Sequence, residues 1–415
     1  MFIKKILILG LVLILSISLL ACNRDNEAQE DISMDENPIE EEKELVEEKD
    51  SIQEMISNMS LEEKIGQLLI VGIDNEVFSD RELYQLNTNK VGGFIFFSRN
   101  IRDEDQFLTI VNQLKVENPS EIPLFLAIDE EGGMVSRLSS FYGNLPDVKS
   151  LGDLNKEEVS YEYGVNLGKR LSQLGLNLNF APVLDINSNP DNPVIGSRSF
   201  GNTAEIVEKH GMEVFQGIES QGIISTVKHF PGHGDTSVDS HYNLPIVNKD
   251  KEELMELELR PFIKAIEEEI EMMMIAHILY SALDSETPST MSETIMQDLL
   301  RTELGYENII ISDDMTMGAI TENYTIEVAS VEFLKNGGDI LLICHGEDNP
   351  SLVIEAIKDS IENDEITIDE IEEKVYRILS LKDKYSLDDD ELNNVDLESI
   401  MEETNNISNR IINEG

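Results

Sequence analysis

From about residue 51 onward, short and nearly unbroken apolar runs alternate with longer segments whose apolar positions recur at helical spacing. Eight runs read as strands: "QLLIVGI" (67–73), "GGFIFF" (92–97), "PLFLAID" (123–129), "NLNFAPVLDI" (177–186), "ISTVKHF" (224–230), "MMMIAHI" (272–278), "NIIISDD" (308–314) and "DILLICH" (339–345). Continuous apolarity, rather than alternation, is what a strand buried on both faces of a parallel sheet requires. Amphipathic stretches such as "EIVEKHGMEVFQGIESQG" supply the crossovers, and no linker rich in Pro, Gly or Ser divides the series. Eight β-then-α units predict a single-domain α/β fold, a (β/α)8 TIM barrel. An open doubly wound sheet shares the same local pattern, and "GGFIFF" also fits the start of a helix.

Polar residues stand where these runs finish: Asp129, Asp185, Lys228 with His229, His277, Asp313 with Asp314, and His345. In a closed barrel the C-terminal ends of the strands converge on one face. Independent segments would therefore deliver a single polar cluster to one place.

The first 21 residues, "MFIKKILILGLVLILSISLLA", carry two lysines, a long apolar run and a small residue, the pattern of a secretory signal. Cys22 follows in "LLAC", which resembles a bacterial lipobox, so export and a lipid anchor on the outer face of the cell membrane are expected; an uncleaved membrane-spanning anchor is the alternative. Residues 22–50 then read as the lipidated cysteine and an acidic disordered tether, 51–390 as the barrel, and 391–415 as an acidic C-terminal tail. The other cysteine, Cys344, lies in an apolar run and reads as a core residue, which leaves no intramolecular disulfide once Cys22 is lipidated. A formal charge of −52 argues against a nucleic-acid partner and against contact of the body with an acidic membrane surface. The membrane is expected to be met through the anchor alone, and the oligomeric state is left open.

Three of the six histidines fall in "KHFPGHGDTSVDSH" (228–241). His229 and His233, with Asp235 and His241 nearby, have the ligand types of a metal site, though Pro231, Gly232 and Gly234 break any helix that would align them. A phosphate-cradling loop fits less well, because "PGHGD" matches neither glycine-rich fingerprint and brings carboxylates to the anion. The acid/base alternative uses the spacing of Asp239 and His241. Two apart in extended or turning backbone, they can project to one side, where the carboxylate holds the tautomer of an imidazole able to give and take a proton. Asp313 offers a carboxylate at another strand end, and a carboxylate nucleophile with a proton donor is the equipment of a retaining glycosidase. Of the "DD" pair, Asp314 reads as a cap or neighbour and Asp313 as the nucleophile.

The same stretch resembles the signature of the β-N-acetylhexosaminidases of glycoside hydrolase family 3, in their bacterial lipoprotein form, and "SDDMTM" is similar to their nucleophile segment. The likeness runs on through "AIDEEGGMVSR" (127–137), "NFAPVLDIN" (179–187), "GSRSFG" (196–201), "LRPFIKAI" (259–266) and "LLRTELGYENIIISDD" (299–314), covering roughly 51–385. It implies a retaining exo-β-N-acetylglucosaminidase acting on peptidoglycan fragments or related glycans. Asp313 would be its nucleophile and His241 its acid/base, partnered by Asp239. Asp129, Arg137, Arg198, Lys228 and His229 would bind the sugar, and no metal or organic cofactor would be needed. The resemblance departs at Met134, where the family often has Arg. A phosphorylase working from the same residues, and a lipid-anchored sugar-binding protein, are the rival readings.

Overall fold

A computed structural model describes residues 50–415 apart from 394. The signal segment, Cys22 and the acidic tether lie outside the described residues. Each expected strand is present: β1 (Leu69–Gly72), β2 (Gly93–Phe96), β3 (Phe125–Ile128), β4 (Leu178–Asn179), β5 (Ile224–Phe230), β6 (Met272–Ile275), β7 (Ile309–Asp314) and β8 (Ile340–Ile343). They pair in parallel and in sequence order, and β1 closes the ring by joining both β2 (Ile70 opposite Gly93) and β8 (Leu69 opposite Leu341). The fold is therefore a (β/α)8 TIM barrel, and closure removes the open doubly wound sheet. "GGFIFF" is a strand rather than a helix start.

The strand residues are buried because each has barrel interior on one side and helices on the other, which is why their sequences lack alternation. Among the strands, β4 is shorter than its apolar run. Pro182 has no N–H to give, yet the run stays beside β5 through bonds from Thr226 N to Ala181 O (3.2 Å) and from Leu184 N to Lys228 O (2.7 Å). Helix starts are set locally: Ser60 with Glu63 and Thr367 with Glu370 form reciprocal capping boxes.

Two ladder irregularities position the site. Between β5 and β6, Val227 faces Met273 but Phe230 faces Ile275; between β7 and β8, Ile311 faces Ile340 but Asp314 faces Leu342. One extra residue is thus accommodated around Lys228–His229 and another around Ser312–Asp313. Such bulges re-aim side chains at barrel rims. Ser312 Oγ accepts the Leu342 N–H at 3.0 Å, filling the gap its own ladder leaves.

The expectation of an acidic tail at 391–415 is corrected. Leu397–Glu414 is a helix packed on Ser139–Tyr142, Lys149–Leu154 and Glu157–Ser172. Ile400, Thr404, Ile407 and Ile411 recur on one face and are buried, so the acidic residues occupy only its outer side.

Candidate active site

Asp129, Arg137, Arg198, Lys228, His229, His241 and Asp313, singled out from strand ends and loops far apart in sequence, line one cavity of about 290 Å³ at the C-terminal mouth of the barrel. Asp239 stands behind His241 rather than in the wall.

The floor is an ion-pair network. Lys228 Nζ, on the β5 bulge, contacts Asp129 Oδ1 and Glu131 Oε1, both at 2.7 Å. Arg198 forks onto Glu131 through Nε (2.9 Å) and Nη2 (2.8 Å). Burial alone would raise the Glu131 carboxyl, but the charges of Arg198 and Lys228 outweigh it and hold it well below the usual carboxylate range. Arg137 is looser. Its Nη2 lies 4.0 Å from Asp129 Oδ2 and its buried Nε meets no protein acceptor, so it keeps donors for a ligand.

Asp185 is fully buried and organises the next layer. Its Oδ2 receives His229 Nδ1 at 2.6 Å, and its Oδ1 receives the backbone N–H groups of His233 (2.6 Å) and His229 (3.3 Å). With Nδ1 so engaged, His229 presents its other nitrogen to the cavity. Desolvation opposes ionisation of Asp185, yet His229 and the bonds it receives keep its carboxyl below the normal value. His233 is occupied at both nitrogens, by Thr236 Oγ1 (2.9 Å) and Ser240 Oγ (3.1 Å), and burial with neighbouring His229 pushes it down to about 4. It is a neutral strut for the loop that carries Asp239 and His241. Asp235 turns away to Lys249 Nζ at 3.3 Å.

Beyond Gly234, whose α-carbon passes so near that a Cβ would sit 1.6 Å from Ile186 O, the loop reaches the dyad. Asp239 Oδ1 accepts from both the backbone N (2.9 Å) and Nδ1 (2.7 Å) of His241. Nδ1 is thereby the protonated nitrogen, and Nε2 is left to exchange a proton. The carboxyl of Asp239 stays low because these bonds outweigh its partial desolvation. The loop docks on the turn after β7: Gly318 N donates to His241 O (3.2 Å) and Ala319 N to Ser240 O (3.1 Å).

The two carboxylates ending β7 differ in engagement. Asp314 accepts from Cys344 N (3.0 Å), Thr316 N (2.9 Å) and Thr316 Oγ1 (2.7 Å), tying β7 to β8. Asp313 accepts only the Asp314 N–H, at 2.8 Å, among the described contacts. Desolvation would raise its carboxyl, but His277, His229 and Lys228 keep it ionised below its ordinary value. His277 acts through the backbone, taking the Thr290 hydroxyl at Nδ1 (2.9 Å) and donating from Nε2 to Asp314 O (3.0 Å).

Sequence reasoning missed Glu131. The signal was present, since in extended backbone Asp129 and Glu131 project to the same side. Arg198, implied as a sugar ligand, spends two of its donors on this glutamate.

A closed α/β barrel with a carboxylate and a carboxylate–imidazole dyad at its C-terminal mouth has the layout of a glycosidase. The chain belongs to glycosyl hydrolase family 3: residues 60–381 match the family's N-terminal domain. It is 36% identical over 323 residues to Beta-hexosaminidase A of Pseudoalteromonas piscicida, covering 71% of this chain and 53% of that one. It is 31% identical over 297 residues to the Beta-hexosaminidase of Hydrogenovibrio crunogenus, covering 69% and 82%. The structure of a glycoside hydrolase family 3 beta-N-acetylglucosaminidase from Paenibacillus sp. str. FPU-7 superposes with a TM-score of 0.81 at 36% identity, over 84% of this chain and 68% of that one. The chain thus spans about half the length of the Pseudoalteromonas relative.

Proposed function

We propose that the protein is a retaining exo-β-N-acetylglucosaminidase that removes terminal β-linked GlcNAc from peptidoglycan fragments or related glycans. The observation that carries this reading is the pairing, in one cavity, of an ionised and little-engaged Asp313 with an Asp239-held His241. A cavity of about 290 Å³ lies at the small end of ligand sites and suits a single sugar ring, hence a terminal residue. The names of the relatives favour an N-acetylhexosamine.

In the first step an Asp313 oxygen forms a bond to the anomeric carbon while the glycosidic C–O bond breaks, and protonated His241 gives its Nε2 proton to the departing oxygen. In the second, neutral His241 takes a proton from water, whose oxygen bonds to the anomeric carbon and displaces Asp313. Each displacement inverts, so configuration is retained. Asp129, Arg137, Arg198, Lys228 and His229 hold the sugar hydroxyls with directed charged groups. Every group in this scheme is a side chain or water.

Incubation with 4-nitrophenyl β-N-acetylglucosaminide, beside the glucoside and galactoside, tests reaction and sugar together. Release from the first alone, with the β-anomer formed first and yield indifferent to phosphate, is the expected result. A sugar 1-phosphate product would make it a phosphorylase, and tight GlcNAc binding without turnover a binding protein. We further propose export and lipid attachment through Cys22, on the strength of the apolar segment and "LLAC". Cys22→Ser is expected to release the protein from membranes in cell fractionation, and unlipidated protein fully retained there would point to a spanning anchor.

A further inference from the structure

Behind the sugar-binding wall lies a polar cluster that the scheme above does not use. Glu130, Asn166 and Arg170 are 0% exposed and Thr404 is 1% exposed. Glu130 points to the opposite side of the chain from its neighbours Asp129 and Glu131, as alternation requires. Its Oε1 accepts from Ser136 Oγ (2.7 Å) and Arg170 Nη1 (2.9 Å), and its Oε2 from the backbone N–H groups of Arg137 (2.7 Å) and Leu138 (3.1 Å). Arg170 completes its fork with Nε to Asn166 Oδ1 (2.9 Å) and Nη2 to Gly143 O (3.1 Å) and to Thr404 Oγ1 (2.9 Å). Thr404 belongs to the helix Leu397–Glu414, which lies beyond the family-matched residues 60–381.

A wholly buried ion pair survives only where its remaining donors and acceptors are met, because desolvating each charge is costly. Here they are met by four separate segments at once: the 131–138 loop, the turn at Gly143, the helix Glu157–Ser172 and the C-terminal helix. Arg137 is where the network reaches the site. Its side chain has only a 4.0 Å approach to Asp129, so its aim is set by the backbone that Glu130 grips.

We propose that Glu130, Arg170 and Thr404 form a positioning relay through which the C-terminal helix sets Arg137 in the sugar site. The inference rests on the reading of Arg137 as a sugar ligand. It makes the helix part of the substrate-binding apparatus. Removing the Thr404 hydroxyl leaves an Arg170 N–H buried without its acceptor, and the cost is relieved by movement of the guanidinium and of the carboxylate that fixes the loop.

The test is a double-mutant cycle on the full chain with 4-nitrophenyl β-N-acetylglucosaminide, using Thr404→Val, Thr404→Ser, Arg137→Ala and the Thr404→Val/Arg137→Ala pair, with Tm measured for each. Thr404→Val is expected to raise KM roughly fivefold or more while kcat changes less, and Thr404→Ser to restore KM. In the Arg137→Ala background Thr404→Val is expected to add nothing to the loss in kcat/KM, since the relay then has no target. An impaired Arg137→Ala with a folded Thr404→Val of unchanged KM overturns the relay while leaving the site reading intact. So does an equal Thr404→Val loss in both backgrounds, which marks a general structural effect. An Arg137→Ala enzyme with normal KM and kcat overturns the ligand role of Arg137, and the relay with it. Should Thr404→Val fail to fold, Arg170→Lys, which keeps the charge but loses the fork, goes through the same cycle with the same outcomes.

Discussion

Asp313 and Asp314 are chemically identical neighbours, and their partners assign them different work. Asp314 is consumed by Cys344 and Thr316, whereas Asp313 faces the cavity with one backbone bond and three basic side chains influencing it. Asp313→Ala is therefore expected to cut turnover by roughly 10⁴-fold or more on every substrate, and a fluorinated GlcNAc-type inactivator to label Asp313. Asp314→Ala is expected to lose roughly 1–3 kcal/mol of stability, from the unmet Cys344 N–H, and to keep measurable activity. Labelling at Asp314 would reverse the assignment. For His241 the signature is the leaving group. With an aryl group that departs unaided, His241→Ala should form the glycosyl-enzyme and then hydrolyse it slowly, a burst before a low steady rate. Azide needs no general base and should restore turnover as a β-glycosyl azide. Asp239→Ala should weaken the same steps less, as befits an orienting group. Near-normal rates of His241→Ala on a poor leaving group would remove it from the role. Asp313 and Asp314 were legible because they end an apolar run, and Asp239 and His241 because they stand two apart in a histidine-rich loop. Glu130 was not, because nothing in "DEEGG" states that the fold buries its middle carboxylate against Arg170.

At the scale of elements, the strands were legible from unbroken apolar runs, while their register was not. A bulge is a property of two strands paired in space, and nothing in "VKHF" or "ISDD" states that a neighbour will advance two residues against three. The C-terminal helix was obscured for another reason. Ile400, Ile407 and Ile411 follow helical spacing, but the acidic and amide residues between them outweigh three isoleucines in any reading by composition. The loop carrying the dyad also depends on an element it does not belong to. Gly318 opens the helix after β7 and donates to His241 O, and a Cβ there would lie 2.8 Å from the carbonyl oxygens of both His241 and Tyr242. Gly318→Ala should thus push the loop away from the nucleophile segment without touching the core. The expected result is roughly a tenfold fall in kcat on substrates that need protonation of the leaving group, little change on a fast aryl leaving group, and a nearly unaltered Tm. An equal fall on both kinds of substrate would place the damage at Asp313 instead.

For the whole molecule the governing quantity is charge. Eighty-three Asp and Glu residues stand against 31 Lys and Arg, so carboxylates exceed basic groups by 52. Many basic groups are already committed around the barrel, as in Lys169 with Glu403 (2.7 Å), Arg260 with Glu205 (2.6 Å) and Lys251 with Glu303 (2.9 Å), and exposed pairs of this kind are individually worth little. The compact state therefore carries self-repulsion that unfolding relieves by separating the charges. Mobile ions act on this term directly. Raising potassium chloride from about 0.1 M to about 1 M shortens the Debye length from about 10 Å to about 3 Å, less than most separations between surface carboxylates. The attractive pairs are screened as well, but they are outnumbered and sit at contact distance, so the balance favours folding. Tm at fixed neutral pH is expected to rise by several degrees across this range, and to rise about equally in sodium and potassium salts, because screening depends on ionic strength rather than on a particular cation. An uncharged osmolyte at the same concentration provides the control for general surface exclusion. A flat or falling Tm with salt would mean that the local ion pairs, and not the excess of carboxylates, dominate the electrostatic stability of the fold.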